Sequence, residues 1–169
     1  MAYPASKSEH GARLRLFLLF RIGTDRYAID GREIAEVLAL RPLKQLPGAP
    51  AWVAGLFTHR EQTVPVINLM LRNGFDAALH KTSTRLVLVQ YQRAQEQAPA
   101  LLGLILEQAT DTLRCRPGDF HDYGIDHGEN PYLGPVLEHP QGLIQRITVE
   151  SLLPDDVHAL LFPAGGSTP

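Results

Sequence analysis

A single cysteine, Cys115, stands in a chain of 169 residues. That excludes an intrachain disulfide framework and fits a reducing compartment. Charge of one sign is also scarce. A net charge of −2 offers no concentrated basic face for nucleic acid or an anionic membrane. Long apolar runs are missing too: the strongest, Leu14 to Ile22, is interrupted by Arg15 and Arg21 and is far too short to span a bilayer. Residues 1–13 lack the apolar core and cleavage-type site of an export signal. A cytoplasmic protein without direct membrane insertion is the expectation. Nucleotide and hydrolase signatures are absent as well. No P-loop or G-x-G-x-x-G follows a strand, and Ser83 and Ser151 sit in no G-x-S-x-G setting.

What is present is an ordinary globular composition, 44% hydrophobic and 20% charged, able to bury a core as one domain or two small intimate ones. Gly 14 and Pro 13 point to many turns and short strands. From residue 14 the chain alternates: Leu14, Leu16, Leu18, Phe20 and Ile22 share one face of a strand. A turn at 23–26 leads into a return strand at Tyr27–Ile29. Asp30 then offers a helix N-cap with Glu33 in capping-box position, and Ile34, Val37 and Leu38 suit the inward face of a short helical turn. Trp52 to Leu71 reads as two buried strands joined by a polar tip, Thr58–Thr63, with Pro65 expected at the start or edge of its strand and not at the centre of a ladder. Strands follow at 85–89 and 101–106. A turn-rich loop spans 116–135, and two short strands flank the turn at 140–142. A closing helix begins near Pro154, with Val157, Leu160 and Leu161 on its apolar side.

Leu14–Ile22 and Leu101–Leu106 carry apolar residues on both faces. Such strands are either sandwiched between packed layers or covered by a partner.

Chemistry is sparse. His121, His127 and His139 lie near Asp122, Asp126 and Glu129, but in loop sequence rather than at helical metal-ligand spacing. A solvated loop is the favoured reading. His59 reads as a surface histidine beside Arg60. Cys115, between Arg114 and Arg116, ends an apolar strand without an indicated histidine base, so a structural thiol is favoured. No catalytic, cofactor-binding or metal residue is assigned, and no enzyme is expected. A small enzyme or metal-binding protein using Cys115 and the His121–His127 loop is the alternative, and a self-associating structural protein a third.

The central hairpin resembles the CheW-like domain, the adaptor coupling chemoreceptors to their histidine kinase. Gly55, Arg60, Pro65, Val66 and Leu69 match its signature spacing. Thr58, Glu61 and Asn68 replace an asparagine, a glycine and an aspartate. Other landmarks keep the same order: YAIDGREIAEVL after the first hairpin, Gly103 with Glu107 where aspartate is usual, and TVESLL near the end. The resemblance covers about residues 14–162. It implies a mainly β fold of two intertwined five-stranded SH3-like barrels with short helices, one of them near the C-terminus. Barrel one is placed at about 14–65 plus 147–162 and barrel two at about 66–146. Segments 1–13 and 163–169 are expected to be disordered.

The function implied is a non-enzymatic scaffold between a methyl-accepting chemoreceptor's cytoplasmic tip and the regulatory domain of a CheA-type histidine kinase, recruited to membrane receptor arrays. Ile34, Val37 and Arg60 are the implied receptor-facing residues, Val87 the kinase-facing one, and Glu36–Arg60 an ion pair that fixes the hairpin tip. The departure at Glu61 implies a changed turn or strain, and Asn68 implies a lost ion pair. Together they suggest a divergent output, such as surface sensing or pilus-based motility.

Overall fold

Alternation of large apolar residues with Arg and Asp produces nine strands in the computed structural model, which describes residues 13–75, 83–94, 96 and 98–163. They are β1 (Arg15–Ile22), β2 (Asp25–Asp30), β3 (Ile34–Leu38), β4 (Val53–His59), β5 (Gln62–Asn68), β6 (Arg85–Tyr91), β7 (Ala100–Cys115), β8 (Leu133–Leu137) and β9 (Ile144–Ile147). Two short α-helices, α1 (Leu69–Arg72) and α2 (Asp155–Leu161), and three 3-10 turns complete the set. Among the described residues no helix is long and apolar enough to cross a membrane. The segments expected to be disordered lie, but for Arg13 and Pro163, outside the described residues.

The strands form the two expected five-stranded barrels, with β7 shared. Its first half pairs with β6 and runs parallel to β5 over Val66–Asn68; its second half pairs with β1. At the crossover the register with β1 slips between Leu19 and Arg21, and Gln108 takes a positive φ of 50°. This bulge bends one strand into two sheets.

The barrels repeat one plan in rotated chain order. In the first, β1 pairs with β2, β2 runs parallel to β9, β9 pairs with β8, and His121, just past β7, bridges back to Val136. In the second, β6 pairs with β7, β7 runs parallel to β5, β5 pairs with β4, and Lys44, just past β3, bridges back to Leu56. The first barrel is therefore built from 15–30 and 107–147, the second from 34–106. The expected limits near 65 and 146 are corrected accordingly. The cause is the parallel β5–β7 pairing, a long-range contact that leaves no local mark on the sequence.

Three apolar layers result. Phe17, Leu19, Ala28, Cys115, Phe120, Leu137 and Ile144 fill barrel one. Phe57, Val64, Val66, Leu86, Leu88 and Ile105 fill barrel two. Between the barrels lies the largest layer, including Leu18, Phe20, Val87, Val89, Leu102, Leu104 and the Val157 face of α2. Strands apolar on both faces are thus sandwiched, each alternate residue entering a different core.

Close approach demands glycine at several positions, Gly55 and Gly103 among them. A Cβ on Gly55, whose φ is +143°, would sit 2.4 Å from the Lys44 carbonyl oxygen, and one on Gly103 would sit 2.9 Å from Val66 Cγ2. Pro65 falls in the middle of β5, opposite Leu56. Leu56 spends its own N–H and C=O on Lys44, so the missing proline donor leaves no gap in the β4–β5 ladder.

The expected helical turn at 34–38 is instead strand β3. Asp30 does act as an N-cap, but of a three-residue 3-10 turn, Gly31–Glu33. The i, i+3, i+4 spacing of Ile34, Val37 and Leu38 has another cause. A bulge between Ile34 and Glu36 puts Ile34 opposite Val89 and Val37 opposite Val87, on one face of a strand.

Candidate partner-docking site

The β4–β5 hairpin turns on two residues, Arg60 and Glu61, with φ of 50° and 67°. Both are left-handed, as a two-residue primed turn demands, and neither is the glycine or asparagine such turns favour. The strain expected at Glu61 is therefore present, and the turn itself is kept. From this tip Arg60 Nη2 donates to Glu36 Oε1 on β3 at 2.8 Å. His59 Nε2 lies 3.1 Å from the other oxygen, Oε2. The His59 side chain is only 10% exposed and its ring packs 5.9 Å from that of Phe57, so it is a supporting group and not a free surface histidine. One carboxylate thus pins a strained tip from two sides.

The residues expected to face a receptor divide across β3. Ile34 and Val37 share the face turned toward the middle layer, Val37 being 45% exposed. Glu36, opposite Leu88, points from the other face, and Arg60 reaches it there. Arg60 is 78% exposed. The edge strand consequently offers an apolar strip on one side and an ordered cation on the other.

Val87 does not belong to any surface. It is fully buried in the middle layer, so its assignment as a kinase contact is withdrawn. An apolar strand residue looks the same in sequence whether its outer face meets solvent or a second sheet. Barrel two does carry an open cavity. There Leu40, Pro42, Leu43, Ala54, Leu86 and Ile105 line a cavity of about 420 Å³ together with Arg41, Gln45 and Asn68.

Asn68 has a local task. Its Oδ1 accepts from Met70 N at 3.0 Å and Leu71 N at 3.3 Å, capping α1. Asparagine and aspartate cap about equally well, so this departure keeps its structural task.

Several groups had no flag beyond local capping. Asp30, 2% exposed, meets Arg15 at 3.2 Å and Arg146 at 3.5 Å, knitting β1, β2 and β9 at the entry to β3. Arg146 continues to Glu33 at 3.8 Å. Arg72 lies between two rings, 4.8 Å from the Trp52 centroid and 4.9 Å from that of Tyr132. Only the charge and aromatic content of these segments hinted at such contacts. Their partners lie far away in sequence.

The alternative chemistry finds no assembled site. Burial, and secondarily Asp119, pushes the Cys115 thiol above its usual range, away from thiolate reactivity. His121 joins the bridge to Val136 through its backbone, and His139 Nδ1 meets Arg26 Nη2 at 3.0 Å. His127 sits 3.4 Å from Gln145 Nε2, while Asp122 and Asp126 hold the turns at Gly124 and Gly128. Among the described residues no three potential metal ligands converge.

Comparison with known proteins gives a consistent result. The model of the CheW-like domain matches residues 16–157. The chemotaxis protein CheW of Helicobacter pylori is 27% identical over 156 residues, 92% of this chain and 91% of that protein. The corresponding protein of Rhizobium meliloti is 23% identical, covering 84% and 89% of the two chains. FrzA of Myxococcus xanthus is 33% identical over 54 residues, 32% of this chain and 34% of that one. The crystal structure of the scaffolding protein TtCheW from Thermoanaerobacter tengcongensis superposes with a TM-score of 0.72 at 17% identity, covering 83% and 88% of the two chains.

Proposed function

The chain belongs to the CheW-like domain family, and on that premise we propose that it couples a methyl-accepting chemoreceptor to a CheA-type histidine kinase. It is a CheW-like scaffold of chemotaxis-type signalling, from a family of non-enzymatic adaptors.

One observation carries the receptor-coupling function. The Arg60–Glu36 pair is ordered, supported by His59, and held on a strained turn, yet Arg60 is mostly solvent-exposed. Exposed pairs of this kind contribute about 0–1 kcal/mol to stability. An arrangement so constrained and so weakly stabilising is better explained by what it presents than by what it holds together. Together with Ile34 and Val37 on β3 it forms the receptor-facing surface. The kinase-facing surface is placed at the mouth of barrel two, beneath Leu40 and Leu43, in place of Val87.

Glu61 leaves a carboxylate on the tip where the family signature has none. We assign that change to a receptor whose contacting surface differs from that of a flagellar system, with surface sensing or pilus-based motility as the output.

The test is calorimetry of the purified protein against two partners from its own genome, the regulatory domain of a CheA-type kinase and the cytoplasmic signalling fragment of a receptor. Dissociation constants in the micromolar range, about −8 kcal/mol, are expected for both. Arg60→Ala should keep kinase binding and lose receptor binding. Absence of binding to either partner at high concentration would overturn the coupling function.

A further inference from the structure

Asn68 faces two ways. Its Oδ1 accepts from the Met70 and Leu71 amides at 3.0 and 3.3 Å. That fixes the orientation of the side-chain amide, because only the oxygen can take a hydrogen bond from an N–H. The residue is 8% exposed and lines the cavity of about 420 Å³ beneath Leu40 and Leu43. With Oδ1 turned to α1, Nδ2 is the polar atom left to face the cavity. It meets no acceptor among the described residues and is not sealed from solvent.

The other polar groups of this cavity add to the same need. Arg41 is exposed at its rim and makes no ion pair or hydrogen bond among the described residues. Gln45 adds an amide, and no carboxylate lines the cavity among the described residues. The walls are apolar, with Leu43, Leu86 and Ile105 among them. A nine-tenths buried donor beside an unmatched guanidinium leaves the cavity short of an acceptor, and of negative charge in particular. Water serves these donors while the cavity is open. A partner covering it with an apolar group alone would strand them.

A carboxylate on a short methylene stem fits both demands. The stem packs on the apolar walls, and the two oxygens accept from Asn68 Nδ2 and from the Arg41 guanidinium. A hydroxyl or a backbone carbonyl would serve Asn68 but leave the Arg41 charge unmatched. Aspartate at position 68 would cap α1 equally well while turning an oxygen into the cavity, so asparagine reverses what the cavity asks of a ligand. We propose that this cavity receives one glutamate or aspartate side chain of the kinase regulatory domain, held between Asn68 and Arg41. The proposal rests on the kinase-coupling function above and adds the chemistry by which one kinase is told from another: apolar contact beneath Leu43 and an acidic residue placed to reach Asn68.

The experiment is calorimetry of the whole protein against the kinase regulatory domain from the same genome. Wild type should bind. Asn68→Asp keeps the cap but puts a carboxylate oxygen in place of the donor, and should weaken kinase binding about tenfold or more. Arg41→Glu, at an exposed residue without partners among those described, should do the same. Replacing each glutamate and aspartate of the kinase domain in turn by glutamine or asparagine should reveal one revealing position. That replacement weakens binding to wild type and brings binding to Asn68→Asp to within about threefold of the wild-type pair. Affinity for the receptor signalling fragment, measured in parallel, should stay constant and shows that the variants are folded. Wild-type-like kinase binding by either variant overturns the acidic contact while leaving the coupling function standing. Loss of binding that no partner substitution restores also overturns it. If wild type itself fails to bind the kinase domain, both the coupling function and the acidic contact fall.

Discussion

Arg60 on the β4–β5 hairpin tip and Glu36 on strand β3 are 24 residues apart, and their side chains meet at 2.8 Å. The guanidinium stays largely in water while the carboxylate is drawn partly under the tip. Replacing Arg60 by alanine should therefore lower unfolding free energy by no more than about 1 kcal/mol, with receptor binding lost by a far larger factor. Urea unfolding beside calorimetry separates the two effects. A stability loss of several kcal/mol would show that the pair is mainly structural.

The turn predicts an asymmetry. Glu61 holds a φ of 67°, and a residue with a Cβ is disfavoured there by about 1–2 kcal/mol. Glu61→Gly should raise stability by about 1 kcal/mol, moving the thermal midpoint up by about 2–4 °C for a chain of this size. A midpoint that falls would mean that the glutamate side chain makes a stabilising contact.

Asn68 separates capping from charge. Asn68→Ala should destabilise by about 1 kcal/mol by freeing the Met70 and Leu71 amides, and Asn68→Asp should be nearly neutral. Equal losses from both would show that burial of the amide, and not the cap, matters at this site.

Val87 gives a test of its own. Its side chain is wholly enclosed in the middle layer, so Val87→Ala should cost about 2 kcal/mol by lost burial and an unfilled space. Kinase affinity of the folded variant should be unchanged. Weaker kinase binding at unchanged stability would return Val87 to the interface.

Alkaline pH should weaken the fold through Tyr132. Burial raises its hydroxyl from 10.0 to about 12, against the opposing pull of Arg72. The unfolded chain gives up this proton near pH 10 and the folded chain only near 12. Between those values the native state binds more protons, so stability falls as pH rises, and below them the residue contributes no slope. Tyr132→Phe should flatten the unfolding free energy across that interval, measured by urea titration at several alkaline pH values. An unchanged slope would show that the hydroxyl ionises alike in both states.

Much of the architecture was legible because it is local. The alternation from Leu14 to Ile22, the polar tip between Val53 and Val64, and the glycine at 103 each report one strand and one constraint. Ile34 to Leu38 misled because a bulged strand can imitate helical spacing over five residues. Val87 misled because burial depends on the second sheet, which no residue near it announces. His59 reads as a plain surface residue for a related reason, its carboxylate partner Glu36 lying on the separate strand β3. The Glu36–Arg60 contact was expected from the family's pattern alone. By contrast, the Asp30–Arg146 and Arg72–Trp52–Tyr132 clusters are assembled by contacts between distant segments, and only folding reveals them.

The rotated order of the two barrels has a consequence for synthesis. Barrel two is one uninterrupted stretch, from β3 through the first half of β7, and can close as soon as it leaves the ribosome. The β1–β2 hairpin emerges before it but must wait for the second half of β7 and for β9 to cover its edges. Phe17, Leu19 and Ala28 remain without their partners Leu137 and Ile144 until then. Release of an incomplete chain would thus leave an intact barrel two carrying a naked apolar ribbon, a form suited to capture by chaperones and proteases. The apolar strip of Ile34 and Val37 on β3 already belongs to the part that closes first.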